Sequence, residues 1–144
     1  MADNFAENGG KILTFEADGN YYAFDILSVT DIIEIPEITP VPKTPGYLLG
    51  VMNLRGKVVP VMDFRKRLGL PDTEYTRKSC IIVVEINSMQ IGVLVDCVYD
   101  VENILPEQIA VSPVINSTVA YFITTEDKRI SLLNPEMFVR GRTV

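Results

Sequence analysis

The chain contains no histidine, no tryptophan and only two cysteines, Cys80 and Cys97, among its 144 residues. Without histidine it cannot form a Ser-His-Asp triad, a Cys-His nucleophile pair or a histidine-containing zinc site. Two thiols cannot enclose a tetrahedral metal, and they make a poor disulfide framework, which favours a reducing compartment. We therefore expect no metal and no cofactor, and most classes of enzyme are disfavoured.

Long apolar runs are also missing from the chain. Residues 1–10 lack the apolar stretch of a signal peptide and are expected to form a flexible tail. The longest uncharged stretch, residues 108–125, is interrupted by polar residues and by Pro113, so it would span a bilayer badly. These features predict a cytoplasmic protein with no direct membrane insertion.

Short apolar runs rich in Val and Ile, separated by turn residues, predict β-strands joined as hairpins. Four hairpins are predicted, with turns at Asp18-Gly19, Arg55-Gly56, Asn87-Ser88 and Glu126-Asp127. Helices are few and short. Asp63 is placed to cap a helix that Gly69 ends, and Asn134 to cap one that begins at Pro135. The pattern predicts a mainly all-β fold.

A repeat with an offset of 69 positions relates residues 29–35 to residues 98–104. Each segment follows a hairpin whose second strand ends in an aspartate, Asp25 or Asp96, and each precedes a second hairpin and a capped helix start. Both aspartates suit backbone capping better than acid catalysis, which needs a tuned pair. The repeat predicts two similar small barrels of about five strands each.

These barrels would form one domain over residues 11–140, with halves at roughly 11–70 and 78–140. Each half alone, at about 70 residues, would be marginally stable. We therefore expect the halves to share a seam, across which strands can be exchanged.

The formal charge of −6 conceals a basic segment over residues 55–78, with seven basic and three acidic residues. The acidic remainder would repel nucleic acid, and the aromatic residues of the segment, Phe64 and Tyr75, do not alternate with the basic ones as a stacking platform. No nucleic-acid partner is therefore expected. The segment is either a solvated helix face or a docking patch for an acidic protein. Arg55 stands out because it occupies a turn between two apolar strands.

Five apolar residues of the predicted hairpins and repeated segments allow two interpretations. They are Leu13, Ile26, Val29, Ile32 and Val98. Either all pack within the barrels, or they line a groove between the two halves. Such a groove would accept a partner helix, which is a recurring mode of recognition.

Several blocks of this sequence resemble the CheW family of bacterial chemotaxis coupling proteins. The most specific is Asn53-Leu54-Arg55-Gly56 followed by Val59-Pro60-Val61-Met62-Asp63, within the similar block at residues 50–63. Other similar blocks lie at residues 22–27, 38–42, 91–96 and 107–109, and the resemblance covers about residues 11–139. It implies two five-stranded SH3-like barrels and no catalytic activity.

The resemblance also implies two partners, the cytoplasmic tips of methyl-accepting chemoreceptors and the regulatory domain of the CheA histidine kinase. Through these contacts the protein would be recruited to membrane receptor arrays. Carried onto this chain, the receptor-binding residues would be Leu13, Ile26, Val29, Asp31, Ile32, Gly50, Asn53, Arg55 and Val98. The kinase-binding surface would be an apolar end of one barrel, to which no residues are assigned.

Two other functions stay open at this point. An adaptor of the same fold could serve another chemosensory-type pathway, such as surface motility. A carboxylate-based hydrolase would need two acids that converge in one pocket, whereas the repeat places most acids at caps and turns.

Overall fold

The computed structural model describes residues 3–113 and 117–140, which form eleven strands and three short helices. The strands are β1 Gly10–Ala17, β2 Asn20–Asp25, β3 Val29–Glu34, β4 Leu48–Leu54, β5 Lys57–Asp63, β6 Cys80–Ile86, β7 Met89–Val95, β8 Cys97–Ile104, β9 Ile109–Val111, β10 Val119–Thr124 and β11 Arg129–Leu133. The helices are α1 Asp3–Asn8, α2 Phe64–Leu68 and α3 Pro135–Arg140, and 3₁₀ turns cover Ile26–Ser28 and Pro106–Gln108. The mainly β fold is confirmed.

All four predicted hairpins form, as β1–β2, β4–β5, β6–β7 and β10–β11. Three of their turns have positive φ at both central residues, at Asp18-Gly19, Arg55-Gly56 and Asn87-Ser88. Positive φ at both positions is the property of type I′ turns, whose twist matches that of the flanking strands. The turn residues therefore explain where these strands end.

The predicted helix caps are also confirmed. The Asp63 side chain accepts a 3.1 Å hydrogen bond from the Lys66 N–H, and Gly69 ends α2 in the left-handed region, with φ of 73°. At α3, the Asn134 side chain accepts a 3.2 Å bond from the Met137 N–H. No helix among the described residues is long and apolar enough to cross a membrane.

The strands form two sheets with the same pattern of pairing. The first has the order β8-β1-β2-β11-β10-β9, and the second has the order β3-β6-β7-β5-β4. In each sheet two hairpins lie side by side through one parallel pair, β2 with β11 and β5 with β7. The short β9 gives the first sheet six strands, one more than predicted for each barrel.

The parallel pairs change the predicted boundaries. The first compact unit combines residues up to 15, 20–28 and those from 99 onward, and the second combines 16–19 and 29–98. The units are therefore not the consecutive halves 11–70 and 78–140. The reason is that β1–β2 pairs with β11, near the end of the chain, while β6–β7 pairs with β5.

A flexible tail was predicted over residues 1–10, of which residues 1 and 2 lie outside the described residues, while residues 3–10 instead contain α1 and the start of β1. Phe5 is only 6% exposed, and its ring stacks on Tyr121 with the centroids 5.8 Å apart. Burial of a phenylalanine side chain contributes roughly 1.5–3 kcal/mol toward holding the six-residue α1 against the first unit. The prediction of a tail failed because this segment is mostly polar and its one large aromatic side chain, Phe5, was not taken into account.

Each unit has its own apolar cluster. In the first unit it is made by Phe5, Ile12, Ala23, Ile104, Tyr121, Ile123, Ile130 and Leu132. In the second it is made by Met52, Val59, Val61, Ile81, Val83 and Leu94. The residues on the inward faces of the hairpins form both clusters. Contacts with a partner must therefore come from the side chains on the outward faces.

Candidate functional site

Strand β3 presents alternate residues to solvent along the second unit. Thr30, Ile32 and Glu34 are exposed, while Val29 and Asp31 are half-buried. Ile32 is 48% exposed, which is high for an isoleucine in a regular strand. One edge strand, β3, thus carries three of the predicted receptor-binding residues, Val29, Asp31 and Ile32.

Asp31 and Arg55 form an ion pair with two contacts. Arg55 donates from Nη2 to Asp31 Oδ1 at 2.5 Å and from Nη1 to Oδ2 at 3.2 Å. The hydrogen bonds from Arg55 lower the pKa of the Asp31 carboxyl. The Arg55 side chain is 68% exposed and that of Asp31 only 14%, so the guanidinium covers the carboxylate from the solvent side.

This ion pair also reports on the shape of the second sheet. Strand β3 lies at one edge, and the hairpin that carries Arg55 ends at the other edge with β4. A side-chain contact between the two requires the sheet to curve so that its edges approach each other. The curvature brings the β4–β5 turn beside β3 and places residues distant in sequence in one surface.

Asn53 holds the same turn from within. Its Oδ1 accepts a 2.9 Å hydrogen bond from the Gly56 N–H, which fixes the Arg55-Gly56 turn. Asn53 also borders a shallow cavity of about 380 Å³ beside the proline-containing linker, together with Pro36, Thr39 and the 73%-exposed Val58. The sequence prediction did not include these three residues, although the exposed-facing alternation of β5 could have indicated Val58.

Gly50 has a backbone role. The linker residue Thr39 forms two hydrogen bonds with Val51, at 2.8 and 2.9 Å, and so lies against β4. A Cβ on Gly50 would lie 2.1 Å from the Thr39 carbonyl oxygen, and the φ of +146° strains any other residue. Gly50 therefore permits the close approach of the linker to β4, and its own surface is buried.

The remaining predicted residues differ in exposure. Leu13 on β1 is 2% exposed, which agrees with the interpretation that it packs within the fold. Ile26, at the start of a 3₁₀ turn in the first unit, and Val98, on β8 in the second, are half-buried. The structure thus brings together Asp31, Asn53 and Arg55, with Val29 and Ile32 on the strand that the ion pair joins.

Asp96 accepts a backbone hydrogen bond, as the repeat predicted, but it also holds the Arg65 side chain, which the repeat did not indicate. It accepts hydrogen bonds from Arg65, at 2.6 Å from Nη2, and from the Asp18 N–H, at 3.2 Å. Burial raises the pKa of Asp96, but these hydrogen bonds outweigh it and the pKa is lowered. Its counterpart Asp25 does act as a cap, since Oδ1 accepts a 3.0 Å bond from the Leu27 N–H.

The basic segment is only partly solvated, contrary to the simpler interpretation of a solvated helix face. The Arg65 side chain is 11% exposed, and Arg67 is 4% exposed with its guanidinium 5.6 Å from the centre of the Tyr47 ring. Lys66 pairs with Asp72 at 3.1 Å. Much of the local positive charge is therefore engaged within the second unit, and Arg55 is the member placed beside β3.

Comparison with known proteins identifies similar chains. The family model described as CheW-like domain matches residues 11–142. The chain is 35% identical over 116 residues to a protein named Chemotaxis protein CheW from Rhizobium meliloti, covering 81% of this chain and 75% of that one. It is 36% identical over 107 residues to a protein of the same name from Bacillus subtilis, covering 74% and 69%.

A solved structure agrees with the fold. The crystal structure of the scaffolding protein TtCheW from Thermoanaerobacter tengcongensis superposes with a TM-score of 0.87 at 31% sequence identity. The match covers 92% of this chain and 94% of that one. The fold, with its two β subdomains, is therefore shared with that protein.

Proposed function

The chain belongs to the CheW-like family, and from this premise we propose that it couples transmembrane chemoreceptors to the CheA histidine kinase as a non-catalytic adaptor. Its role as a chemotaxis adaptor follows from the family and from the named relatives. The proposal adds the two partners, the absence of catalysis, and recruitment from the cytoplasm to membrane receptor arrays through protein contacts.

The observation that carries the proposal is the exposed Arg55 held beside β3, the edge strand that also carries the exposed Ile32. We call Val29, Asp31, Ile32, Asn53 and Arg55 the β3 surface, a set linked by strand β3, by the β4–β5 turn and by the Asp31–Arg55 contact. It combines an isoleucine that is 48% exposed with an arginine side chain that is 68% exposed. A guanidinium has five N–H donors, and Asp31 uses only some of them, so the others are available to an acidic partner.

The other predicted residues take two different roles in this proposal. Ile26 and Val98 are half-buried and add apolar contact area for the receptor. Leu13 and Gly50 are buried, so we assign them to positioning. Gly50 does so by letting the linker lie against β4 beside the turn that carries Asn53 and Arg55.

The energetics suit a coupler, which needs separate interfaces of moderate strength. Full burial of an exposed isoleucine side chain gives roughly 1.5–3 kcal/mol, so the half-exposed Ile32 offers about 1 kcal/mol. Arg55 adds charge complementarity, which favours an acidic receptor face over other partners. Signalling would then be a change in the relative placement of receptor and kinase, transmitted by a rigid adaptor.

The acidic residues of the second unit support a non-catalytic role. The carboxylates of Asp31 and Asp96 are each held by an arginine, and Asp63 caps α2. Both arginine-paired carboxyls have lowered pKa values, so they stay ionised and unsuited to general acid catalysis at neutral pH. Because these three acids are already held in ion pairs or a helix cap, the alternative function as a carboxylate-based hydrolase is disfavoured.

A reconstitution with purified components tests the proposal. The chain is mixed with a receptor signalling-tip fragment and with the CheA regulatory domain, singly and together, and complexes are separated by gel filtration. We expect two binary complexes and one ternary complex, with Arg55→Glu losing the receptor and keeping the kinase. Binding to neither partner by the wild-type chain would refute the coupling role.

A further inference from the structure

Strand β3 contains a β-bulge at Thr30. Val29 lies opposite Val84 of β6. Asp31, two residues further along β3, lies opposite Val83, which is only one residue further along β6. Thr30 is therefore one extra residue in β3, which is what defines a β-bulge. Bulges change the direction in which the following side chains point, so this one bears directly on the β3 surface.

The bulge places Val29 and Ile32 on the same face of the second sheet. Ile32 lies opposite Ile82, and Ile82 and Val84 are two residues apart on β6, so these two share a face. Residues directly opposite each other in antiparallel strands lie on one face, which puts Val29 and Ile32 together. In a regular strand, residues three positions apart point to opposite faces. The two apolar residues of the β3 surface therefore share a face because of the extra residue at Thr30.

The direction of Asp31 depends on the bulge as well. Its partner Val83 belongs to the apolar cluster of the second unit, so Asp31 is on the face opposite to that of Ile32, where Arg55 reaches it. Without the extra residue, each residue of β3 after Val29 would move one place along β6 and point to the other face. Ile32 would then turn toward the apolar cluster, and Asp31 would turn away from Arg55.

The Thr30 side chain links the bulge to both neighbouring strands. Its hydroxyl donates to the Val83 carbonyl oxygen at 3.4 Å and accepts a 3.2 Å hydrogen bond from Nε2 of Gln90. Gln90 is on β7, so its side chain crosses β6 to reach Thr30, a span of two strand spacings or roughly 9–10 Å. The two hydrogen bonds hold the extra residue at one position along β6.

We propose that Thr30 and Gln90 are positioning residues for receptor binding. Their hydrogen bond fixes the bulge, and the bulge directs Val29 and Ile32 to one face of β3 and Asp31 to the other. Neither Thr30 nor Gln90 needs to touch the receptor for this effect. The inference rests on the proposed receptor role of the β3 surface and adds two residues that the sequence prediction did not include.

Calorimetric titration of the full chain with a receptor signalling-tip fragment tests the two residues. Thr30→Val keeps the branched shape without the hydroxyl and should weaken binding about fivefold, the loss expected for one hydrogen bond. Gln90→Met should weaken binding to a similar extent, and the double variant no further, because both changes remove the same bond. Thr30→Ser, which keeps the hydroxyl, should bind like the wild type. Thr124→Val, at an exposed threonine of the first unit, is the matched control.

Two further measurements separate positioning from a general loss of stability. If Thr30 acts through the direction of Ile32, Ile32→Ala should weaken receptor binding much less in the Thr30→Val background than in the wild type. Backbone NMR reports the register without any receptor. Cross-strand contacts between Asp31 and Val83 should be present in the wild type and weakened in Thr30→Val.

The outcomes distinguish this inference from the coupling function on which it rests. A wild-type chain that does not bind the receptor contradicts the coupling function itself. Receptor binding by the wild type that is equalled by Thr30→Val and Gln90→Met would overturn the positioning role alone. An unchanged register in Thr30→Val would do the same, since the bulge would not depend on the hydroxyl. Thermal unfolding checks each variant, and if Thr30→Val does not fold, Gln90→Met decides.

Discussion

Arg55 and Asp31 meet across the two edges of the curved second sheet, with Arg55 exposed above a largely covered carboxylate. Exposed ion pairs contribute little to stability, with a median of about 0–1 kcal/mol. The main effect of this pair is therefore to fix the position of the Arg55 side chain. It holds a guanidinium over β3 at a defined place, where the remaining donors face outward.

Reversing the charge of Arg55 is expected to separate binding from folding. Arg55→Glu should weaken receptor binding by about tenfold or more, since a buried or rim charge of the wrong sign opposes an acidic partner. The melting temperature should change little because the side chain is 68% exposed. Lys57→Glu, which reverses an exposed charge next to the same turn, is the matched control in a receptor co-sedimentation assay. Equal sedimentation of wild type and Arg55→Glu would remove Arg55 from the interface.

Exchanging the two charges asks whether the pair itself matters. The double variant Asp31→Arg with Arg55→Glu restores opposite charges but places the cation on β3. If the outward guanidinium at position 55 is what the receptor contacts, binding should stay weak in the double variant. Recovery to the wild-type level would instead assign the effect to the ion pair.

The apolar part of the β3 surface is tested by placing a charge on β3. Ile32→Asp is expected to lower receptor affinity by about tenfold while the chain stays folded, because Ile32 is already 48% exposed. Val29→Asp should lower affinity as well, but Val29 is half-buried, so loss of folding there would indicate a core role. Val111→Asp, at a 67%-exposed valine of the first unit, serves as the control.

The Arg65–Asp96 contact is expected to matter for stability. Arg65 donates to Asp96 from two nitrogens and to the Pro71 carbonyl oxygen, with its side chain only 11% exposed. Arg65→Met should lower the free energy of unfolding by about 2–3 kcal/mol, since it leaves a partly buried carboxylate without its cation. Lys66→Met, which breaks an exposed pair with Asp72, should cost less than about 1 kcal/mol. Urea denaturation of both variants measures the difference.

The same carboxylate predicts a dependence on pH. The pKa of Asp96 is lowered in the folded chain, so its contribution to stability is complete above the unfolded pKa of about 3.9 and is lost as the pH falls through the folded value. Asp96→Asn should therefore be less stable than the wild type at pH 7. The gap should begin to narrow below about pH 4, where this carboxyl becomes protonated in the unfolded chain, and should close as the pH falls through the lowered pKa of the folded chain. A gap that stays constant from pH 7 to pH 2 would contradict the assignment.

Gly50 provides a backbone test. Gly50→Ala is expected to lower the free energy of unfolding by about 2 kcal/mol or more, because the new Cβ collides with the Thr39 carbonyl at a strained φ of +146°. Gly46→Ala, with no heavy atom within 4 Å of the added Cβ, should be nearly neutral. Thermal unfolding compares the two, and similar melting temperatures would show that the linker yields easily.

Local signals in the sequence located the hairpins and caps well. Asp18-Gly19 and Arg55-Gly56 form tight turns from adjacent residues. Asp63 caps α2 by accepting a hydrogen bond from the Lys66 N–H, only three residues along the chain. These features depend on neighbours in sequence, so composition and spacing reveal them. The resemblance added the family, which no local pattern contains.

Long-range pairing was beyond such signals. Nothing in the spacing indicates that β2 lies parallel to β11, because a strand's apolar pattern is the same whichever strand it meets. The contact of Asp96 with Arg65 was not predicted for a similar reason, since the repeat aligns Asp96 with Asp25 but Arg65 lies 31 residues away. The Arg55–Asp31 contact depends on sheet curvature, which the alternation of exposed residues does not report.

The exchange of hairpins between the two sheets has a consequence for synthesis on the ribosome. The five strands of the second sheet all lie within residues 29–95, so this sheet can form while the C-terminus is still being made. The first hairpin emerges earliest, yet its parallel partner β11 is the last strand to appear. The second sheet can thus form before the first sheet is complete. The hairpin of strands β1 and β2, which is synthesised first, pairs with β11 only after all the other strands have been made.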